Sequence, residues 1–134
     1  MYYLQNNIIN ISQKLLYKLN QNNEINGIIV FILHCLIIGF FVLNSIIGKV
    51  DYNYLFGIFM LLSVAFFHLL FRGCILIKIE RRLLNTKDWY GPWTFLFRYL
   101  DDNHIKYNKS FIYNISAFIV AFIIILKLYK KYLL

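Results

Sequence analysis

Four side chains in this sequence, His34, His68, Cys74 and Glu80, have chemistry that sets them apart from their apolar neighbours. His34 lies inside a long uncharged run, and His68 comes four residues before Arg72 at the end of another. Ionisable groups are costly within an apolar span, so they mark candidate functional positions. Two facing imidazoles could ligate a haem iron, which makes His34 and His68 the candidate cofactor-binding pair. The plainer reading is that each hydrogen-bonds a neighbouring helix and holds a bundle together. Small residues share their stripes, Gly27, Ser45 and Gly48 with His34, and Gly57, Val64 and Ala65 with His68, so the two histidines are expected across one helix contact. Glu80 is the sole acid of Cys74–Leu84 and has Ile77, Leu83 and Leu84 as helical neighbours. An unpaired carboxylate there would be expensive, so Arg72, His68 or Arg81 is the expected partner. Cys35 and Cys74 have neither CxxC nor metal-ligand spacing and imply no disulfide framework. Asp101-Asp102-Asn103-His104 could hold a divalent ion weakly, but a solvated loop is the simpler account. With no second acid near Glu80 and no metal cluster, no catalytic residue and no metal site are assigned.

The elements that must position these residues are written in hydropathy. The chain has 134 residues, 60% hydrophobic and 19% aromatic, more apolar than a soluble domain of this size can bury. Gly27–Gly48, Tyr54–Phe71 and Ser110–Leu126 carry no charge. The first has 22 residues, long enough at 1.5 Å each to cross a hydrocarbon core of about 30 Å. In lipid the backbone must satisfy its own hydrogen bonds, so these runs are expected to be helices. Lys127, Lys130 and Lys131 can snorkel and extend the reach of the third. On this helix Ser110, Asn114, Ala117 and Ala121 form the expected packing face.

Between and around the spans the pattern becomes amphipathic. Residues 1–20 place Leu4, Ile8, Ile11, Leu15 and Leu19 on one stripe, an interfacial arm with Tyr2 and Tyr3 as aromatic anchors, and Gln21–Asn26 is expected to be a hinge. The basic loop 72–109 begins with Cys74–Asn85, which sets Ile75, Leu76, Ile79 and Leu83 against Lys78, Arg81 and Arg82. That spacing predicts a short helix lying on anionic lipid headgroups. Trp89-Tyr90-Gly91-Pro92-Trp93 is a turn with interfacial aromatics. The net charge of +8 flanks the spans, which points to lipid rather than nucleic acid as the acidic partner. Ten basic residues fall on the side of the N-terminal arm and the long loop, and four on the other, so the N-terminus is expected inside. The N-terminal sequence lacks the basic region and small-residue site of a cleavable signal peptide. The sequons at Asn10 and Asn108 fall on the inner side and are discounted.

His34, His68 and then Gly73-Cys74-Ile75-Leu76-Ile77-Lys78-Ile79-Glu80-Arg81-Arg82-Leu83 resemble a class of small polytopic membrane proteins of bacteria and large DNA viruses. Members carry a membrane histidine followed by Cys-x-Leu-Thr-x-x-Glu-x-x-Leu. Cys74, Leu76, Glu80 and Leu83 keep that spacing, and Ile77 replaces the threonine. The resemblance covers roughly residues 30–100. It implies this topology and singles out Cys74 and Glu80, without implying an activity.

The expected fold is thus an all-α membrane domain: three transmembrane helices plus N-terminal and mid-chain interfacial amphipathic helices. The leading functional expectation is a non-enzymatic structural or accessory subunit that packs against other membrane subunits or its own copies. One alternative is a haem- or quinone-associated anchor of a respiratory complex using His34 and His68. The other is a small membrane enzyme or transporter using Glu80 with the histidines.

Overall fold

The computed structural model describes residues 2–134; Met1 and the Tyr2 side chain, one of the two expected anchors, lie outside the described residues. Every regular element described is helical: α1 (Tyr2–Leu19), α2 (Asn23–Ile47), α3 (Tyr52–Leu70), α4 (Ile75–Leu83), a 3-10 turn (Gly91–Trp93), α5 (Thr94–Asp102) and α6 (Lys109–Tyr132). Helices α2, α3 and α6, with 25, 19 and 24 residues, are long and apolar enough to cross a membrane. An integral multi-pass membrane protein has this set of helices.

The boundaries differ from the sequence reading where side chains cap the backbone. The expected hinge at Gln21–Asn26 is shorter, because Asn22 accepts the amides of Glu24 at 2.9 Å and Ile25 at 3.4 Å and starts α2 early. Asn108 caps α6 by accepting from the Phe111 amide at 3.2 Å. Helix α6 runs on through its lysines to Tyr132, since cations near a helix C-terminus suit the dipole.

The chain divides into two compact units. The first comprises Met1–Ile37 and Ser63–Thr94. Its core is Ile9 of α1, Val30 of α2, and Ile79 and Leu83 of α4, with Leu16, Ile75 and Leu76 packed around them. Helix α4 therefore buries its apolar face, Ile79, Glu80 and Leu83, against protein. Its last residues reach Gly27, where an added Cβ would lie 2.7 Å from the Leu84 side chain. Its N-terminal end lies at His34, so α4 runs antiparallel to the first half of α2. On α1 the stripe residues Leu4, Ile11, Leu15 and Leu19 are exposed, and the contact with α4 comes instead from the side carrying Ile9 and Leu16.

The second unit comprises Ile38–Leu62 and Phe95–Leu134. Tyr54 is buried in it, and Lys127 donates to the Gly48 carbonyl at 2.7 Å with its ammonium 5.1 Å from the centre of the Tyr54 ring. This lysine, expected to snorkel, caps the chain just beyond α2. Phe97 is buried between Tyr107, stacked at 5.4 Å, and Tyr113, edge-on at 5.6 Å. Ser110, Asn114, Ala117 and Ala121, the expected packing face of α6, are all exposed, and α6 has no buried residue.

Candidate functional site

Two helices of the first unit and the loop carrying Trp89 converge on one cluster. His34 projects from α2, Cys74 is the residue that begins α4, and Glu80 lies one and a half turns further along that helix. His34 Nδ1 is 2.8 Å from Glu80 Oε1, and Cys74 Sγ is 3.6 Å from His34 Nε2. The indole N–H of Trp89 donates to Glu80 Oε2 at 2.6 Å. Glu80 has no exposed surface, and His34 is 3% exposed. A carboxylate can only accept, so with Glu80 ionised His34 carries its proton on Nδ1 and turns the lone pair of Nε2 toward the thiol. Thiol, imidazole, carboxylate and indole thus form one hydrogen-bonded line.

The local sequence explains how these side chains are held in place. Arg72 and Gly73 turn the chain after α3 with φ of 50° and 124°, and Cys74 is extended at φ −66°, ψ 121° as the N-cap of α4. Positions 76, 79, 80 and 83 share a face at helical spacing, so Glu80 sits within the buried stripe. Arg81 Nε donates to the Trp89 carbonyl, and its guanidinium stacks 4.9 Å from the centre of the Tyr90 ring. The Tyr90 amide donates to Thr94 Oγ1 at 2.8 Å, fixing the start of the following turn. Phe31 meets the Trp89 ring edge-on at 5.2 Å. Gly91, at φ 59°, lies against the imidazole: an added Cβ would be 3.2 Å from His34 Cε1 and 3.0 Å from Ile77 Cγ1.

Electrostatics favour a reactive thiol. Burial raises the pKa of Cys74, but the His34 hydrogen bond, the Ile77 amide, the His34 charge and the Leu76 amide together bring it below its ordinary value. Near the same turn, burial first and then Arg81 depress the Lys78 ammonium, which donates to the Phe71 carbonyl at 2.8 Å.

The sequence-derived candidates therefore divide. His34, Cys74 and Glu80 are brought together; His68 is exposed and makes no hydrogen bond to His34. Both ring nitrogens of His34 have protein partners, Glu80 and Cys74. Glu80 pairs with His34 and Trp89 rather than Arg72, His68 or Arg81, because its face of α4 turns toward α2. Lys78 and Arg81 are tied to backbone carbonyls, and Arg82 is exposed. No group of three or more metal-ligating side chains arranged to hold an ion occurs among the described residues. The sequence pattern marks Trp89 as an interfacial aromatic, and the signal for its further role is an indole donor nine residues from a buried acid. Comparisons with known protein families, curated proteins and solved structures find no match.

Proposed function

We propose that this membrane protein is a thiol enzyme in which Cys74 is the nucleophile, His34 the general base and Glu80 the positioning residue. The observation that carries this reading is the continuous contact from Cys74 Sγ through His34 to Glu80 and Trp89. A nucleophile, a base within reach of it and a third group orienting the base are the parts of covalent acyl-transfer catalysis. His34 accepts the thiol proton at Nε2, and Glu80 holds the ring in the tautomer that can do so and balances the resulting imidazolium. The thiolate then attacks an activated carbonyl. Position at the start of α4 adds the favourable end of a helix dipole.

The test is alkylation kinetics. In a Cys35→Ser background, iodoacetamide modification of Cys74 should reach half its maximal rate below about pH 8.5, the ordinary thiol value. The sign follows from the lowered pKa: more thiolate is present at neutral pH than in a free cysteine. His34→Gln should move the midpoint upward and Glu80→Gln should move it less. Identical midpoints in all three proteins would remove the triad reading.

An accessory subunit is the second reading. What favours it is the exposed face of Ser110, Asn114, Ala117 and Ala121 on α6, a small and polar stripe suited to another membrane helix. Gentle purification that brings down a stoichiometric membrane partner, together with an ordinary Cys74 midpoint, would favour it over the enzyme.

A further inference from the structure

We infer that the electrophile taken by Cys74 is a long-chain acyl group, carried as an oxygen ester or thioester and presented from the lipid phase. This rests on Cys74 being the nucleophile. The spanning helix α3 ends at Leu70, and only Phe71, Arg72 and Gly73 separate it from Cys74. Cys74 Sγ is 3.6 Å from the His34 ring and so shares its level. A span that ends at Leu70 sets the thiol at the boundary of the hydrocarbon core, the level of lipid ester carbonyls. A soluble peptide does not present a carbonyl there; a lipid does.

The flanks of the thiol match such a molecule in two parts. The last turns of α3, which lead directly to Cys74, expose Phe66, Phe67 and Leu69, at 61%, 52% and 79%. These apolar side chains are an alkyl-chain surface. Arg72, two residues before Cys74, is exposed at the turn, where a guanidinium can meet a phosphate. The carbonyl between chain and headgroup then lies beside the thiol.

The step balances without any other reagent. His34 Nε2 takes the thiol proton, and the S–C bond to the acyl carbon forms. The carbon–oxygen or carbon–sulfur bond to the carrier breaks, and the departing alkoxide or thiolate takes the proton back from His34. The products are S-acyl Cys74 and a free alcohol or thiol. Water, activated by the same imidazole, can attack the thioester next, releasing a fatty acid and the thiol.

The experiment uses the full-length Cys35→Ser protein. One arm places it in phosphatidylcholine vesicles carrying an alkyne-tagged acyl chain, and a second supplies an alkyne-tagged long-chain acyl-coenzyme A. A third supplies a short-chain, water-soluble acyl thioester. Hydroxylamine-labile label on Cys74 from the vesicles identifies a lipid ester as the source, and label from the coenzyme A arm identifies a thioester. Labelling should vanish in Cys74→Ser and slow by about a hundredfold or more in His34→Gln, the scale of general-base catalysis. Faster labelling by the short donor, or none by either long-chain donor, overturns the inference. A lowered alkylation midpoint alongside that failure leaves the nucleophile in place and removes only its acyl-lipid substrate.

Discussion

At the scale of single residues, the buried pair of His34 and Glu80 has a sharp energetic signature. Removing one member leaves the other buried without its partner, at a cost of about 3–5 kcal/mol. His34→Leu should therefore lower the thermal unfolding midpoint in detergent strongly. The double variant His34→Leu, Glu80→Met should recover much of that loss, because two apolar groups leave no charge behind. A double variant no more stable than His34→Leu alone would show that the pair is not coupled. Trp89→Phe keeps the apolar ring beside Phe31 but deletes the donor to Glu80 Oε2. Its expected cost is about 1.5–3 kcal/mol, the worth of a hydrogen bond to a charged group, again read from thermal unfolding. Gly91→Ala combines a positive φ with a Cβ pressed on the imidazole. It should cost about 1–3 kcal/mol and slow Cys74 alkylation, whereas Pro92→Ala should leave alkylation close to wild type.

At the scale of elements, the three spans were legible because uncharged length alone specifies a membrane helix. Helix α4 was legible too, from Ile75, Leu76, Ile79 and Leu83 at helical spacing. What covers α4 was not. A short amphipathic helix has the same pattern whether its apolar face meets lipid or protein, and here Gly27 lets it pack closely on α2. The partner of Glu80 was missed for the same reason. Reasoning from neighbours on one helix points to Arg81 or Arg72, while the true partner lies 46 residues away in sequence. Cys74 and Glu80 were singled out, but their link through His34 exists only once α4 folds back. Gly27→Val tests this packing: a branched side chain cannot fit where a single Cβ already meets Leu84 at 2.7 Å. Overpacking of about 1–3 kcal/mol is expected, with Cys74 alkylation slowed because the α2–α4 contact carries the site. A Gly27→Val protein of wild-type stability and reactivity would contradict that geometry.

At the scale of the whole molecule, the basic residues set the expected orientation. Single cysteines at Asn85 and Tyr52, in a background lacking Cys35 and Cys74, should be labelled by an impermeant reagent from opposite sides of the membrane. Labelling from the same side would reject the three-span topology. The 46 residues separating His34 from Glu80 also bear on how the protein is made. His34 is synthesised before its acidic partner, so the pair closes only when the chain as far as α4 is present. Glu80 arrives on a helix too short to span and finds a donor in the His34 ring. The contact from Cys74 through His34 to Glu80 therefore needs α2 and α4 together, and a chain ending before Glu80 lacks it.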